Sequence, residues 1–256
     1  MNVLILAVLC GAVVGLALGG LGGGGGVLAV PALVYLLGVD PADAGTASLL
    51  IVTITSATAL ARHVGTGTVR GRTGVLFAAV GAVPTVGASM LAHRLPQNLL
   101  TGAFAVLAAV AAAAMLRGTR ACVDATPTST GPPPLVAART AGAGAGLGAV
   151  TGLLGVGGGF LAVPTLVSVL RLPMRTAVGT SLVVTLLNSL VSLTTRLTTE
   201  GVSVDPAVLG PFVGAAILGA WDARRLAARL PGPALQRTFA VLLLATAAFM
   251  LVDAFV

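Results

Sequence analysis

Gly24-Gly25-Gly26-Val27-Leu28-Ala29-Val30-Pro31 returns later in the chain as Gly157-Gly158-Gly159-Phe160-Leu161-Ala162-Val163-Pro164. The same spacing pairs Ser48-Leu49 with Ser181-Leu182, and two residues more pair Leu95-Pro96 with Leu230-Pro231. Chance apolar similarity does not preserve this order over most of two halves, so the chain reads as a duplication. Each copy of the motif is a glycine run that opens a short apolar segment. That combination sets the architecture.

The surroundings of the motif are apolar throughout. Of 256 residues, 57% are hydrophobic and 8% are charged, against about 25% charged in an ordinary soluble domain. So few charges exclude a soluble enzyme, a disordered chain and a disulfide scaffold. They leave an all-α integral membrane protein. Full-length segments run over Val3–Gly20, Ala44–Ala61, Gly74–Ala92 and Leu99–Leu116, then Thr140–Leu154, Ala177–Leu193, Pro206–Ala220 and Ala234–Val252. Val27–Leu37 and Phe160–Leu170 are short. A polar stretch with Pro127 and Pro132-Pro133-Pro134 separates the halves. The expected organisation is a first membrane repeat (1–116), a cytoplasmic linker (117–139) and a second membrane repeat (140–256).

Val27–Leu37 as a helix reaches roughly 17 Å, about half of a ~30 Å hydrocarbon core. A re-entrant pair is a natural solution: the chain enters, turns at the glycines and returns. Ten full spans give the same sidedness. Five direction changes per half make the repeats inverted, whereas eight spans would make them parallel. The cations decide between the two. All 14 are Arg. With the N-terminus outside and every segment reversing, Arg62, Arg70, Arg72, Arg117, Arg120, Arg139, Arg171, Arg175, Arg224, Arg225, Arg229 and Arg237 fall inside. Only Arg94 and Arg196 fall outside. This positive-inside bias favours inverted repeats with both termini outside, in a prokaryotic plasma membrane. The net charge of +7 is therefore a topology signal, and no nucleic-acid partner is expected.

The glycine turns, Gly22–Gly26 and Gly155 with Gly157–Gly159, are candidate substrate contacts. Unwound backbone is tolerated in a bilayer only under protein or beside a water-filled cavity. Inverted repeats commonly bring such breaks together near the midplane. The helix starts that follow present free N–H groups and positive dipole ends, which suit an anion. Gly24, Gly25, Gly26, Gly157, Gly158 and Gly159 would line that site. The alternative is close helix packing by small residues. Thr46, Ser48, Thr180 and Ser181 begin long helices nearby and have hydroxyls to offer; their alternative is bonding back to their own helix. Thr53, Thr55, Thr185 and Asn188 lie deeper. Asn188 is an amide at a depth where such groups face protein or a cavity. Pro31 and Pro164 suit a kink that frees a carbonyl.

Other patterns carry no chemistry. Gly20-Leu21-Gly22-Gly23-Gly24-Gly25 fits G-x-G-x-x-G with Asp43 downstream, but no strand precedes it. Without Lys there is no Walker A. Cys10 and Cys122 have no metal or disulfide spacing, and His63 and His93 are lone residues expected at solvent or headgroups. Trp221 reads as an interface anchor. No Ser–His–Asp set and no carboxylate pair points to an enzyme, and no cofactor or metal is implied.

The two glycine turns running into Leu-Ala-Val-Pro, each followed by a Ser-Leu helix start, resemble the TauE/SafE family of sulfite exporter-like permeases. Thr151 to Pro164 followed by Gly179-Thr180-Ser181-Leu182 is the nearest part. The first half departs in its five consecutive glycines and in Asp40-Pro41, where the second half has Pro173-Met174. The resemblance implies a permease for small sulfur-containing anions: sulfite, thiosulfate, sulfonates or related organic acids. Alternating access between the repeats fits both lines. An anion channel and an accessory membrane subunit are the rival readings.

Overall fold

The computed structural model describes residues 2–22, 25–39, 41–65, 67, 69–92, 97–118, 142, 144–149, 159–168, 170, 172–199, 206–229 and 231–255. The described residues form helices and connecting turns, without a strand. In chain order these are α1 (Asn2–Leu21), α2 (Gly25–Pro31) with a π-helical turn (Ala32–Leu36), α3 (Pro41–His63), α4 (Gly71–Ala92) and α5 (Gln97–Gly118). Then follow α6 (144–149), α7 (Gly159–Ser168), α8 (Met174–Thr199), α9 (Pro206–Arg229) and α10 (Gly232–Phe255). Helices α1, α3, α8 and α10 are long and apolar enough over their described residues to cross a membrane.

Proline and glycine punctuate these elements. Pro41 and Pro206 open α3 and α9, where a missing N–H costs nothing. The Pro173 carbonyl accepts from Ala177 N at 2.9 Å, and that of Pro231 from Ala234 N at 2.9 Å, so α8 and α10 start on prolines as well. Gly65 (φ 91°) and Gly67 (φ 70°) turn the chain back between α3 and α4, in a conformation that only glycine adopts freely.

Small residues set the packing. A Cβ on Gly11 would fall on the carbonyl oxygen of Phe212, and one on Gly15 on that of Ala216; on Gly19 it would lie 2.7 Å from that of Ala220. Both helices advance together, so α1 and α9 run side by side in one direction at backbone contact. The same arrangement recurs between α6 and α4. Gly144 meets the carbonyl of Phe77, Gly148 meets that of Gly81, and Thr85 Oγ1 donates to Gly148 O at 2.9 Å.

Helix α3 follows the direction of α1 and α9. Its early residues Ala44, Ala47 and Ile51 cluster with Ala7, Val14, Phe212 and Ala216. Its later residues Val52 and Ala59 cluster with Leu18, Ala220 and Leu182. The start of α8 lies beside the end of α3: Arg70 N, just past α3, donates to Thr180 Oγ1 at 3.2 Å. A separate core joins α7 and α8 to α5 and α10 through Leu166, Ala177, Met115 and Phe239. Val83, Leu218 and Val241 point outward from α4, α9 and α10, as a lipid-facing surface requires.

The short helices end alike. Val39 N donates to Leu33 O at 3.0 Å, and Leu172 N to Leu166 O at 3.1 Å. Both pairs stand at the spacing that relates Pro31 to Pro164. The prolines themselves differ in effect. Pro31 leads into the π-helical turn, whereas Pro164 sits within a regular α-helix.

Candidate substrate site

Gly22 ends α1 with φ 78°. A Cβ there would fall on Ser181 Oγ and lie 3.0 Å from Val163 Cγ2 and 3.3 Å from Val178 O. Gly22 is thus pressed onto α7 and the start of α8, with no room for a side chain. Gly25 and Gly26 are the first residues of α2, and Gly159, buried, is the first of α7. Gly24, Gly157 and Gly158 lie outside the described residues.

Thr46, Ser48, Thr180 and Ser181 are all buried, within two turns of the starts of α3 and α8. Two of their hydroxyl protons are committed. Ser48 Oγ donates to Gly45 O at 2.8 Å, and Ser181 Oγ donates to Val178 O at 2.8 Å. These bonds occupy repeat-related positions and tie each hydroxyl to its own helix. Thr180 differs, since its oxygen accepts from Arg70 N and its own proton has no acceptor among the described residues. Asn188 is partly buried further along α8. The structure brings Gly22 of the first half onto Ser181 of the second, next to Thr180; among the described residues no hydrogen bond joins Thr46, Ser48 or Asn188 to them.

Three buried hydroxyls lie deeper in the same helices: Ser56 on α3, and Thr185 and Ser189 on α8. None finds a hydrogen-bond partner among the described residues. Ser56 and Ser189 were not singled out from the sequence. The signal was available, because the motif's spacing, extended along the helices, pairs Ser56 with Ser189 and Thr55 with Asn188.

The end of α3 carries charge. The Arg62 guanidinium stacks over the Trp221 ring at 4.3 Å from its centroid. Trp221 lies inside α9, two turns before the end of that helix, and is half exposed. His63 is buried rather than solvated, because α3 extends to include it and its Nδ1 folds back to 2.9 Å from Ala59 O. Gln236, an amide passed over in the sequence, is buried and donates through Nε2 to Met115 O at 2.6 Å, joining α10 to α5. Among the described residues no three His, Cys, Asp or Glu side chains gather as metal ligands. The candidate site residues that the structure describes are uncharged glycines, hydroxyls and an amide on helices from both halves.

Residues 7–250 match the sulfite exporter TauE/SafE family. The chain belongs to that family. Two "Probable membrane transporter proteins" of Xylella fastidiosa, from strains Temecula1 and 9a5c, are each 32% identical to it over 251 residues, covering 97% of this chain and 95% of the relative. No solved structure matches. As a TauE/SafE family member the protein is a membrane transporter, and four of its described helices are long and apolar enough to cross a membrane. The glycine turns and the Ser-Leu starts of α3 and α8 all fall within the matched region.

Proposed function

We propose that this TauE/SafE transporter exports small sulfur-containing anions such as sulfite, thiosulfate or sulfonates by alternating access, without an enzymatic step. The single observation that carries the reading is the seating of Gly22 on Ser181. A glycine turn of one half meets the polar helix start of the other, with Thr180 beside it. Neutral N–H and O–H donors suit an oxyanion that must also be released.

The halves act as inverted repeats of five segments each, with the linker 117–139 in the cytoplasm. Two observations support this. The α1–α9 contact has its counterpart in α6–α4, where Gly11 on Phe212 and Gly15 on Ala216 correspond to Gly144 on Phe77 and Gly148 on Gly81. Helix α9 also runs with α3, while α4 returns from α3 across a tight turn, so α9 and its counterpart α4 point in opposite senses. Helices α4, α5 and α9, of 22 to 24 residues, reach roughly 33–36 Å, enough to span the plasma membrane. The contacts of Arg62 with Trp221 and of Arg70 with Thr180 gather the ends of α3 and α9 and the starts of α4 and α8 on one side. That side is the cytoplasmic one by the positive-inside rule, which leaves both termini outside.

In this scheme Gly24 to Gly26 and Gly157 to Gly159 present backbone N–H groups to the anion, while Thr46, Thr180 and Asn188 add side-chain donors. Ser48 and Ser181 release their bonds to Gly45 and Val178 when they take part. Export gains ~2.3 kcal/mol per negative charge per 100 mV of inside-negative potential, a roughly fiftyfold gradient.

A thermal-shift screen of the purified protein against sulfite, thiosulfate, sulfoacetate and taurine tests the substrate class. A ligand at a hundred times its Kd stabilises the folded state by about 2.7 kcal/mol. Sulfite or another of these anions is expected to raise the unfolding midpoint above that in chloride of equal ionic strength. Uniform silence across the set contradicts the reading.

A further inference from the structure

Buried hydroxyls in membrane helices ordinarily donate to the carbonyl one turn back. On α3, Thr53 donates to Leu49 O at 2.7 Å, Thr55 to Ile51 O at 2.5 Å and Thr58 to Ile54 O at 2.9 Å. Ser56 on α3, and Thr185 and Ser189 on α8, leave that acceptor unused. Each is fully or almost fully buried, and each hydroxyl is without a partner among the described residues. An unsatisfied hydroxyl in a dry interior is costly, so three in one place call for a common cause.

Their register supplies it. Ser56 falls on the α3 face of Val52 and Ala59, and Thr185 and Ser189 fall on the α8 face of Leu182, by helical spacing. Val52, Ala59 and Leu182 belong to one packed cluster in which α3 meets α8, with Leu18 of α1 and Ala220 of α9 beside them. The hydroxyls therefore line the seam between the two helices. The repeat spacing relates Ser56 to Ser189 and Val52 to Thr185, so both halves contribute to the same seam. Nothing charged stands among these positions, and free O–H groups offer protons to an acceptor.

We infer that the α3–α8 seam is a transit station for the anion, in which Ser56, Thr185 and Ser189 replace water around an oxyanion passing between the halves. The station is distinct from the glycine-turn site. It rests on the anion-transport reading above and extends it by giving the anion a route beyond Ser181. The unused protons are then donors held for a temporary guest, the oxyanion during its passage.

The test replaces Cys10 and Cys122 by Ala and introduces Ser56→Cys, Thr185→Cys and Ser189→Cys one at a time in the full chain. Ala108→Cys and Leu243→Cys serve as dry-core controls, both fully buried. The probe is the negatively charged sulfonatoethyl methanethiosulfonate, applied to membranes with and without sulfite. The seam positions are expected to react at least tenfold faster than the controls, with sulfite slowing the reaction. In the native-cysteine protein, Ser56→Ala and Ser189→Ala are expected to lower sulfite flux about tenfold without moving the midpoint of the sulfite-induced thermal shift. Seam cysteines as inert as the controls overturn the station and leave the transport reading intact. Fast reaction without sulfite protection supports an anion route and counts against sulfite as the cargo.

Discussion

The α1–α9 contact and the α3–α8 seam both join the first half of the chain to the second, and they are built in opposite ways. In the first, Gly11, Gly15 and Gly19 bring backbone onto backbone, with no polar side chain between them. In the second, Ser56, Thr185 and Ser189 occupy buried positions with their hydroxyls unspent. Helices gain no hydrophobic drive toward each other in lipid, so close van der Waals contact must hold them. The α1–α9 contact has that character, and the α6–α4 contact repeats it. The seam instead buries donors that find no partner among the described residues. In the proposed transport scheme the close-packed pairs α1–α9 and α6–α4 would form the frame, and the seam the interface that tolerates a guest.

The sharpest way to break the comparison is to fill the frame. Gly15→Leu drives a side chain into the Ala216 carbonyl and should cost about 3 kcal/mol, read as loss of the monodisperse peak and a lowered unfolding midpoint. Gly214→Ala, on the open side of α9 where an added Cβ meets nothing within 4 Å, should be neutral or gain up to about 1 kcal/mol of helix propensity. Equal damage from both would erase the distinction between packed and open faces.

The seam should respond with the opposite sign. Removing an unpartnered buried hydroxyl relieves a desolvation cost, so Ser56→Ala and Ser189→Ala should each raise the unfolding free energy by about 1 kcal/mol while slowing transport. Measured by thermal unfolding beside flux, a variant that loses stability would place these hydroxyls in the frame instead.

Two smaller effects sharpen the frame itself. Gln236→Ala removes the bond from α10 to the Met115 carbonyl, and a side-chain hydrogen bond between membrane helices is worth about 0.6 kcal/mol. A small drop in midpoint is expected, with flux retained. Trp221→Leu removes the face under Arg62. At a half-exposed position the stacking contributes about 0.5–1 kcal/mol, at the edge of what thermal unfolding resolves.

Hydropathy with glycine and proline punctuation places the elements well. Val3–Gly20 becomes Asn2–Leu21, Ala44–Ala61 becomes Pro41–His63, and Phe160–Leu170 becomes Gly159–Ser168. The lateral arrangement is hidden, because in helices apolar on every side no periodic stripe says which face meets which neighbour. That α1 lies on α9 across the halves follows from where small residues let backbones touch. His63 escapes the sequence for a local reason: α3 runs two residues past its apolar stretch and folds the ring back on its last turn. Ser56 and Ser189 carry ordinary residue types. Their interest lies in a bond not made, which only coordinates reveal. The π-helical turn after Pro31 is foreshadowed as a kink, but an identical proline at 164 leaves its helix regular.

The central claim is outward movement of a negatively charged sulfur oxyanion along neutral donors. It is tested most directly by sulfite efflux from proteoliposomes with the membrane potential clamped by potassium and valinomycin. Efflux should accelerate as the interior is made more negative, and the Ser56→Ala/Ser189→Ala double variant should be slower at every potential. Equal efflux at all clamped potentials would contradict it.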